Sequence, residues 1–347
     1  MNDYHYIGLD VHKKKIQYCI KTADGKIVEQ GKLDSRPAAL REFAAQQSQR
    51  PWKGVMEATM FSYWIYDELA GSAAELHIAH PLLVKAITAG KHKSDKIDAR
   101  KLADIVRCNW IPSCYVPPAE VRNLRRLMRW RERVKRQTVQ TKNRIACTLM
   151  EVGVEYNRSK LHGKKYFQNL LDQLDQVPVE VKEVLRYARA SLEMFAATQR
   201  RILRQLQAHS KLKERVERLR SIQGVGLITA LTWALEVGEP QRFSSLGRAL
   251  SYCGLVSGQN QSADKDHGGP LSKQRNRYLQ STLIEAAKLA PQFNSALDAV
   301  FQKVRQKKSA NQATIIVARK LVAYLLAVDK SGQPFRPVQT GSPAPPT

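Results

Sequence analysis

Cysteine is scarce in this chain of 347 residues, and its cysteines are widely scattered. An odd number of cysteines without a CxxC pair argues against a disulfide framework, a zinc site and a dithiol redox centre. We therefore expect reduced thiols, as in a protein of the cytoplasm. The five cysteines are Cys19, Cys108, Cys114, Cys147 and Cys253.

Long apolar runs are missing as well. No stretch approaches the roughly 20 consecutive apolar residues that a membrane-spanning helix needs. The polar start, residues 1–5, is unlike a signal peptide. The sequence therefore predicts a globular chain without a membrane partner, long enough for two domains of ordinary size or for one domain with a large insertion and a second core.

Acidic residues are few compared with basic residues. The chain has 57 Lys and Arg against 31 Asp and Glu, a formal net charge of +26, which favours a polyanionic partner such as nucleic acid. Between residues 122 and 144 a run of basic side chains faces a single acid, Glu132. A solvated helix surface usually interleaves both signs, so we interpret this segment as a nucleic-acid-binding surface. The predicted contacts there are Arg122, Arg125, Arg126, Arg129, Arg133 and Arg136.

The hydrophobic pattern of residues 1–115 predicts an α/β domain. Strands are predicted at 4–10, 53–57 and 75–79, and a hairpin at 16–33 turns at Asp24 and Gly25. Helices are predicted at 37–47 and 61–71. Strands and helices alternate, as in a sheet with helices packed on it.

The remainder of the chain is predicted to be all-α. Residues 116–215 contain one long basic helix and a second helix whose apolar spacing, from Leu185 to Leu206, suits a coiled coil within or between chains. Residues 216–330 contain two helical segments separated by Gly224 and Gly226, a polar segment at 256–276, and further helix. Residues 331–347 are proline-rich and predicted to be a disordered tail.

Four acids are candidates for a metal site. Asp10 and Glu57 end two predicted strands of one sheet, and Asp95 and Asp98 lie three apart at a predicted helix start, on one face. Converging carboxylates repel each other unless a cation neutralises them. Oxygen ligands suit Mg²⁺, and two such ions about 4 Å apart can serve phosphodiester chemistry. The alternative for each acid alone is a cap or turn residue.

Two later features point to phosphate chemistry. Gly224 and Gly226 would let backbone amides approach a phosphate, although an ordinary turn between helices explains them too. Ser262 lies in the polar segment with Lys265 and Lys273, which could hold a phosphate beside its hydroxyl. Ser262 is therefore a candidate nucleophile, and the alternative is a loop serine without a role.

Six segments together resemble one known family, the DEDD-type insertion-sequence transposases, which are described as bridge-RNA-guided recombinases. The resemblance covers about residues 4–330, with the segments in the family's order. The segments are GLD at 8–10, MEAT at 56–59, SDKIDA at 94–99, SIQGVG at 221–226, SYCGL at 251–255 and SK at 272–273.

The resemblance implies a fold and a mechanism. The fold would be a RuvC-like, ribonuclease-H-type domain, then a helical coiled coil, then a transposase domain with a helix-hairpin-helix-like motif. Ser262 would attack the DNA backbone and form a covalent phosphoserine intermediate. The DEDD magnesium ligands would be Asp10, Glu57, Asp95 and Asp98.

The resemblance also implies partners. Donor and target DNA would be chosen by a structured guide RNA, and a dimer or tetramer would combine acids and serine from different protomers. Such a protein belongs to the bacterial cytoplasm, at the nucleoid. The chain has Met60 and Arg275 where the family usually has glycine, and these departures would alter the local turns.

Two other functions are compatible with these residues. A structure-specific endonuclease that resembles a Holliday-junction resolvase would use the same four acids to activate water and would need no serine. A non-catalytic DNA- or RNA-binding relative would need neither. The region after residue 216 argues against the first alternative, and the presence of all four acids argues against the second.

Overall fold

The computed structural model describes residues 4–88, 94–262 and 265–336, apart from the side chains of residues 259–268. The chain forms two compact units, Met1–Val116 and Pro117–Thr347. The domain boundaries drawn from the sequence, after residues 115, 215 and 330, stay predictions.

The first unit is built on a five-stranded mixed sheet. Its elements in chain order are β1 (His5–Val11), β2 (Lys15–Lys21), β3 (Ile27–Asp34), α1 (Pro37–Gln46), β4 (Trp52–Glu57), α2 (Ser62–Leu69), β5 (Glu75–Ala79), α3 (Pro81–Ile87) and α4 (Asp95–Arg107). The strand order is β3-β2-β1-β4-β5. β1 pairs antiparallel with β2 and parallel with β4, and β4 pairs parallel with β5. The carboxyl ends of β1, β4 and β5 therefore lie at the same edge.

Helices cover both faces of this sheet. Ile7 and Leu9 of β1 belong to a core with buried side chains of α1 and α2. On the opposite face Val55 packs with Leu102 of α4. This explains the pattern of β1, in which alternate side chains enter different cores. The predicted strands, hairpin and helices of this unit are confirmed within about two residues, and Gly25 has the positive φ, 89°, of a turn residue.

The second unit is mostly helical. Its elements are α5 (Ala119–Glu151), α6 (Lys164–Asp172), α7 (Val179–Gln207), α8 (Ser210–Arg220), α9 (Leu227–Val237), α10 (Leu246–Tyr252), β6 (Ser257–Ser262), β7 (Lys265–Leu271), α11 (Arg277–Leu289), α12 (Ser295–Arg305) and α13 (Ala310–Ser331).

The two long helices of this unit, α5 and α7, pair antiparallel within one chain. Met128, early in α5, shares a core with Leu206 at the end of α7. Leu149, late in α5, shares a different core with Leu185, early in α7. Both predicted long helices are confirmed. The sequence left open whether they pair within or between chains, and the structure gives the first arrangement.

The larger core of the second unit surrounds α9 and α13. Trp233 of α9 is fully buried, and its Nε1–H donates to Asp329 of α13 at 2.9 Å. Among the described residues α13 is the one helix long and apolar enough to cross a membrane by length and composition, and half of its apolar stretch is buried. Arg319 and Lys320 interrupt its apolar residues, so α13 contains no uninterrupted apolar run of about 20 residues. Leu321 and Leu325 lie in the core of the second unit.

Two segments of this unit differ in detail from what the sequence indicated. The polar segment 256–276 contains an antiparallel hairpin of β6 and β7, which the sequence concealed because its residues do not alternate between apolar and polar. At the start of the predicted tail, residues 331–336 belong to the described part of the chain. The Phe335 ring packs on Tyr324 with centroids 4.9 Å apart, and its N–H donates to Ser221 Oγ at 2.7 Å. Residues 337–347 of the predicted tail lie outside the described residues.

Candidate functional site

Helix α4 lies unusually close to strand β1, and Gly8 makes this possible. A Cβ atom at Gly8 would lie 2.2 Å from the carbonyl oxygen of Ala99 and 2.3 Å from the amide nitrogen of Ala103. These are backbone atoms of α4, which cannot move away independently. Asp10 lies two residues after Gly8 and therefore on the same face of β1, where α4 begins. The strand thus ends beside the first turn of the helix.

Three side chains converge at this point. His12 Nε2 lies 3.1 Å from Asp10 Oδ2 and 3.7 Å from Asp95 Oδ1. The ligand atoms of all three residues lie within 4.8 Å of one another. Two carboxylates and an imidazole form a donor set that suits a divalent cation. We call Asp10, His12 and Asp95 the carboxylate cluster.

Asp10 is the least exposed acid of the carboxylate cluster. Its side chain is 14% exposed, whereas that of Asp95 is 61% exposed. Burial raises the pKa of Asp10 above its ordinary value, the charge and hydrogen bond of His12 oppose this, and the charges of Asp95 and Asp98 raise it further. Asp98 therefore acts on Asp10 electrostatically. A nearby cation would relieve this repulsion.

Glu57 reaches the same edge from the neighbouring strand. Leu9 of β1 is paired with Met56 of β4 in a parallel register, so the next residues, Asp10 near the end of β1 and Glu57 at the end of β4, lie on one face of adjacent strands. The two remaining acids lie in the first turn of α4, whose N-cap Ser94 accepts a hydrogen bond from the Ile97 N–H. The structure thus brings all four predicted acids to one edge of the first unit.

His12 is a cluster member that the sequence analysis did not identify. It follows the end of β1 by one residue, in the sequence Asp10-Val11-His12. The sequence does place a histidine two residues after a candidate metal ligand at a strand end, and this spacing could have indicated His12. The sequence analysis considered only carboxylates as metal ligands and therefore missed it.

The basic segment of α5 is only partly a surface. Arg122 and Arg125 are buried, and Arg125 donates through Nε and Nη2 to the carbonyl oxygen of Leu235 at 2.9 and 2.7 Å. Arg129 donates two hydrogen bonds of 2.8 Å to the carboxylate of Glu236. These arginines therefore have partners inside the protein, which an excess of positive charge in the sequence did not reveal.

Glu236 is the centre of this buried network. Its side chain is 1% exposed, with Arg125 Nε at 3.7 Å. It also accepts a hydrogen bond of 2.8 Å from Asn276 Nδ2. Asn276 is the N-cap of α11 and follows the β6–β7 hairpin. The Glu236 network therefore joins α5 and α9 to the start of α11.

The remaining predicted contacts of α5 lie on its surface. Arg126, Arg133 and Arg136 are exposed, and the Arg133 guanidinium lies 5.6 Å from the ring centroid of the exposed Trp130. Exposed cations beside an aromatic ring are suited to a nucleic-acid strand. Binding by these residues stays a prediction.

The two glycines of the 221–226 loop have different structural roles. Gly224 has φ of 93°, and a Cβ there would lie 2.7 Å from the Ala290 Cβ. Gly226 is the N-cap of α9, and a Cβ there would meet no atom within 4 Å. Gly224 is thus explained by packing, whereas Gly226 leaves open space before the helix. Only the second glycine fits the predicted approach of a phosphate.

Ser262 is the last residue of β6 and pairs with Lys265 of β7 at the closed end of the hairpin. Both side chains lie outside the described part of the chain. Lys273 is exposed beyond β7. The structure therefore places the backbone of Ser262, and its role as nucleophile stays a prediction.

Both departures from the family's usual glycines have simple structural settings. Met60 is 88% exposed after β4. Arg275 lies against Gly254, whose φ is 71° and where a Cβ would approach the Arg275 Cβ to 2.5 Å. Arg275 Nη1 donates to the Ser272 carbonyl oxygen at 2.7 Å. Neither side chain occupies the carboxylate cluster.

Comparison with known proteins gives two family matches. A transposase family of the DEDD IS110 type matches residues 7–153, and the family described as "Transposase IS116/IS110/IS902 family" matches residues 216–302. The carboxylate cluster lies in the first match, and the 221–226 loop and β6–β7 hairpin lie in the second.

Whole proteins are similar over most of their length. A "Probable family 20 transposase" of Pseudomonas aeruginosa is 26% identical over 95% of this chain and 98% of its own length. The "Transposase for insertion sequence element IS1111A" of Coxiella burnetii is 23% identical over 97% of this chain and 92% of its own. A transposase for insertion sequence element IS1533 of Leptospira borgpetersenii is 23% identical over 67% of this chain and 70% of its own.

Proposed function

Because this chain belongs to the IS110 family of insertion-sequence transposases, we propose that it cuts and rejoins DNA strands at the carboxylate cluster. The family is one of enzymes that act on DNA. The observation that carries the proposal is the meeting of Asp10, His12 and Asp95 within 4.8 Å at the sheet edge where Glu57 also ends a strand. The mixed sheet with helices on both faces supports a RuvC-like, ribonuclease-H-type domain.

The four acids would hold Mg²⁺, as one or two ions. A bound divalent cation would polarise a phosphoryl oxygen and stabilise the charge of the leaving oxygen. Asp10 is the anchor of the site, because β1 and α4 fix its position and its partial burial keeps water from screening it. His12 orients Asp10 through the 3.1 Å contact.

Ser262 is the proposed nucleophile. Its Oγ would form a bond to the phosphorus of the cleaved strand while the bond from phosphorus to the leaving sugar oxygen breaks. The proton of the serine hydroxyl is released, and the leaving oxygen gains one, so no oxidant or further reactant is needed. Support comes from the backbone position of Ser262 at the end of β6, where it pairs with Lys265 of β7.

Exposed arginines of α5, with Gly226 and the lysines around the hairpin, are proposed to bind the nucleic acid. The resemblance adds a guide RNA that pairs with donor and target DNA, together with a dimer or tetramer in which acids and serine come from different protomers. The charge of +26 supports a polyanionic partner of either kind. We expect the protein at the nucleoid in the cytoplasm.

The proposal is tested by incubating the protein with Mg²⁺, the DNA of its element ends and the RNA transcribed beside its gene. We expect a protein–DNA adduct that survives denaturant with the wild type and with the control Ser257→Ala, and none with Ser262→Ala or Asp98→Asn. Asp98→Asn should still bind DNA. Cleavage without an adduct, equal in the wild type and Ser262→Ala, would show a nuclease that uses water and would refute the serine mechanism.

A further inference from the structure

A cavity of about 500 Å³ opens beside the 221–226 loop, within the second unit. This volume lies in the range of about 300–1,000 Å³ that is typical of small-ligand sites. Its lining combines apolar and cationic side chains from α5, α8, α9 and α11 and the segment after α11. The apolar members include Ile222, Val225, Ile228, Leu289 and Phe293. The charged members are the three cations Arg131, Lys135 and Arg220 and the two acids Glu132 and Glu285, so positive charge is in excess by one.

Arg131 is the most buried of these cations. The residue is 7% exposed, and its buried Nε has no hydrogen-bond partner among the described residues. Burial lowers the pKa of its guanidinium, and the charge of the neighbouring Glu132 opposes this shift. Burial of a guanidinium is costly to the fold unless its charge is compensated. Because Arg131 lines the cavity, an anion bound there would neutralise its charge and offset part of this cost.

The start of α9 favours an anion at the same place. Gly226 is its N-cap and provides no side-chain cap. The first hydrogen bond within the helix runs from the Ala230 N–H to the Gly226 carbonyl oxygen, so the three preceding amides have no partner in the helix. A helix N-terminus attracts negative charge. Open space at Gly226 gives a phosphate access to it.

An inorganic anion alone would leave the apolar part of the lining uncovered. Phe293 is 64% exposed and Leu289 is 54% exposed, although both are large apolar side chains. A flat base would cover them, and stacking of a base on an aromatic side chain stabilises single-stranded nucleic acid without a sequence requirement. The chemistry therefore combines a phosphate with a stacking ring.

We propose that this cavity binds one unpaired nucleotide, with its phosphate at Arg131 and the first turn of α9 and its base against Phe293. The inference rests on the proposed function, since a DNA or RNA strand is then the main source of the nucleotide. A free nucleoside phosphate has the same chemistry and is the other source. Thr282 and Ser281 of α11 also line the cavity and offer hydroxyl groups to a base edge.

The test uses a duplex that carries 2-aminopurine as a single-nucleotide bulge. The wild type should bind it more tightly than a duplex with an abasic bulge, and the 2-aminopurine fluorescence should change on binding. Phe293→Ala should weaken binding of the bulged duplex about 5- to 150-fold, as loss of one stacked base predicts. Tyr187→Ala, which removes another exposed aromatic ring of the same unit, should have no effect.

Arg131→Gln provides a second test, with Arg305→Gln as the control that removes one exposed charge from α12. Arg131→Gln should weaken bulge binding, whereas the control should not. Equal binding of the base-containing and abasic bulges would overturn the proposal, as would wild-type affinity of Phe293→Ala. If Arg131→Gln does not fold, Phe293→Ala decides, because its side chain is exposed.

The source of the nucleotide is distinguished by a third arm with free 2-aminopurine deoxynucleoside monophosphate. Binding of the free nucleotide as tight as that of the bulge would assign the cavity to a soluble nucleotide, and weaker binding would assign it to a strand. A fully paired duplex without a bulge separates this inference from the proposed function. If the wild type binds the paired duplex as tightly as the bulged one, the cavity proposal alone is refuted. If it binds neither duplex, DNA binding itself is refuted.

Discussion

Removal of the Glu236 carboxylate should strongly destabilise the second unit. Glu236 is 1% exposed and accepts hydrogen bonds from Arg129 and Asn276. Glu236→Ala would leave those donors, and the nearby Arg125, without their acceptor. Loss of one partner of a buried ion pair costs about 3–5 kcal/mol. Because the Arg129 side chain is 41% exposed, water can replace part of its partner, and we expect about 3 kcal/mol.

A loss of this size is a large share of the total stability of about 5–15 kcal/mol that is usual for a domain. It can be measured by urea unfolding of the full chain, followed by far-ultraviolet circular dichroism, which reports mainly on the helical second unit. Glu236→Gln keeps the shape and one amide oxygen, so its loss should be smaller, about 1.5–3 kcal/mol, as for a hydrogen bond to a charged group.

Glu217→Ala provides the matched control. Glu217 is an exposed acid on α8, and its replacement should change the free energy of unfolding by no more than about 0.5 kcal/mol. A double-mutant cycle of Glu236→Ala with Arg129→Ala should show coupling, because the two side chains share two hydrogen bonds. The reasoning is refuted if Glu236→Ala costs less than about 1 kcal/mol while the unfolding transition keeps its slope.

Three further outcomes are expected. Gly8→Val should weaken Mg²⁺ binding about tenfold or more, because a Cβ 2.2 Å from the Ala99 carbonyl oxygen must displace α4. Calorimetric titration with Mg²⁺ measures this affinity. The control Gly71→Ala, where a Cβ meets nothing within 4 Å, should bind Mg²⁺ like the wild type. The affinity for Mg²⁺ should rise as the pH increases above the ordinary pKa of an aspartate, because the raised pKa of Asp10 lets the metal-free protein keep a proton that Mg²⁺ must displace. The raised pKa of Asp10 also stabilises the metal-free fold at low pH, and this stabilisation is lost as the pH rises through the pKa of Asp10 in the folded protein. A Mg²⁺ affinity that does not depend on pH would contradict the site. Burial raises the pKa of the Cys253 thiol to about 12, so this thiol should not react with a thiol reagent near pH 8 until the protein unfolds. The exposed Cys108 should react at once. Labelling of Cys253 before unfolding, detected by mass spectrometry, would disprove this prediction.

The sheet of the first unit was predictable because its sequence signals are local. Alternation of apolar residues in β1 and the turn at Gly25 define elements that the structure reproduces. The proximity of Asp10 to the start of α4 was harder to predict, because Asp10 and Asp95 are far apart in the chain. The prediction rested on the position of Asp10 near a strand end and of Asp95 at a helix start.

The second unit was less predictable because its decisive contacts link distant residues. Nothing adjacent to Arg125 or Arg129 indicates that Glu236, more than 100 residues later, is their partner. A run of arginines is expected on a surface, and only the fold shows which ones turn inward. The β6–β7 hairpin escaped notice for a different reason, since its backbone pairing does not depend on an apolar pattern.

Helix α5 has a consequence for how this family can vary. Its early part is fixed in one core through Met128 and its late part in another through Leu149, and α7 accompanies it antiparallel between the two. The 33 residues of α5 therefore act as a spacer whose length sets the separation of two otherwise independent cores. Insertion of seven residues into each helix would lengthen the spacer by about 10 Å and nearly preserve its phase. Insertions that do not complete nearly whole turns would rotate one core against the other, so relatives with longer or shorter spacers should differ by about 7, 11 or 18 residues.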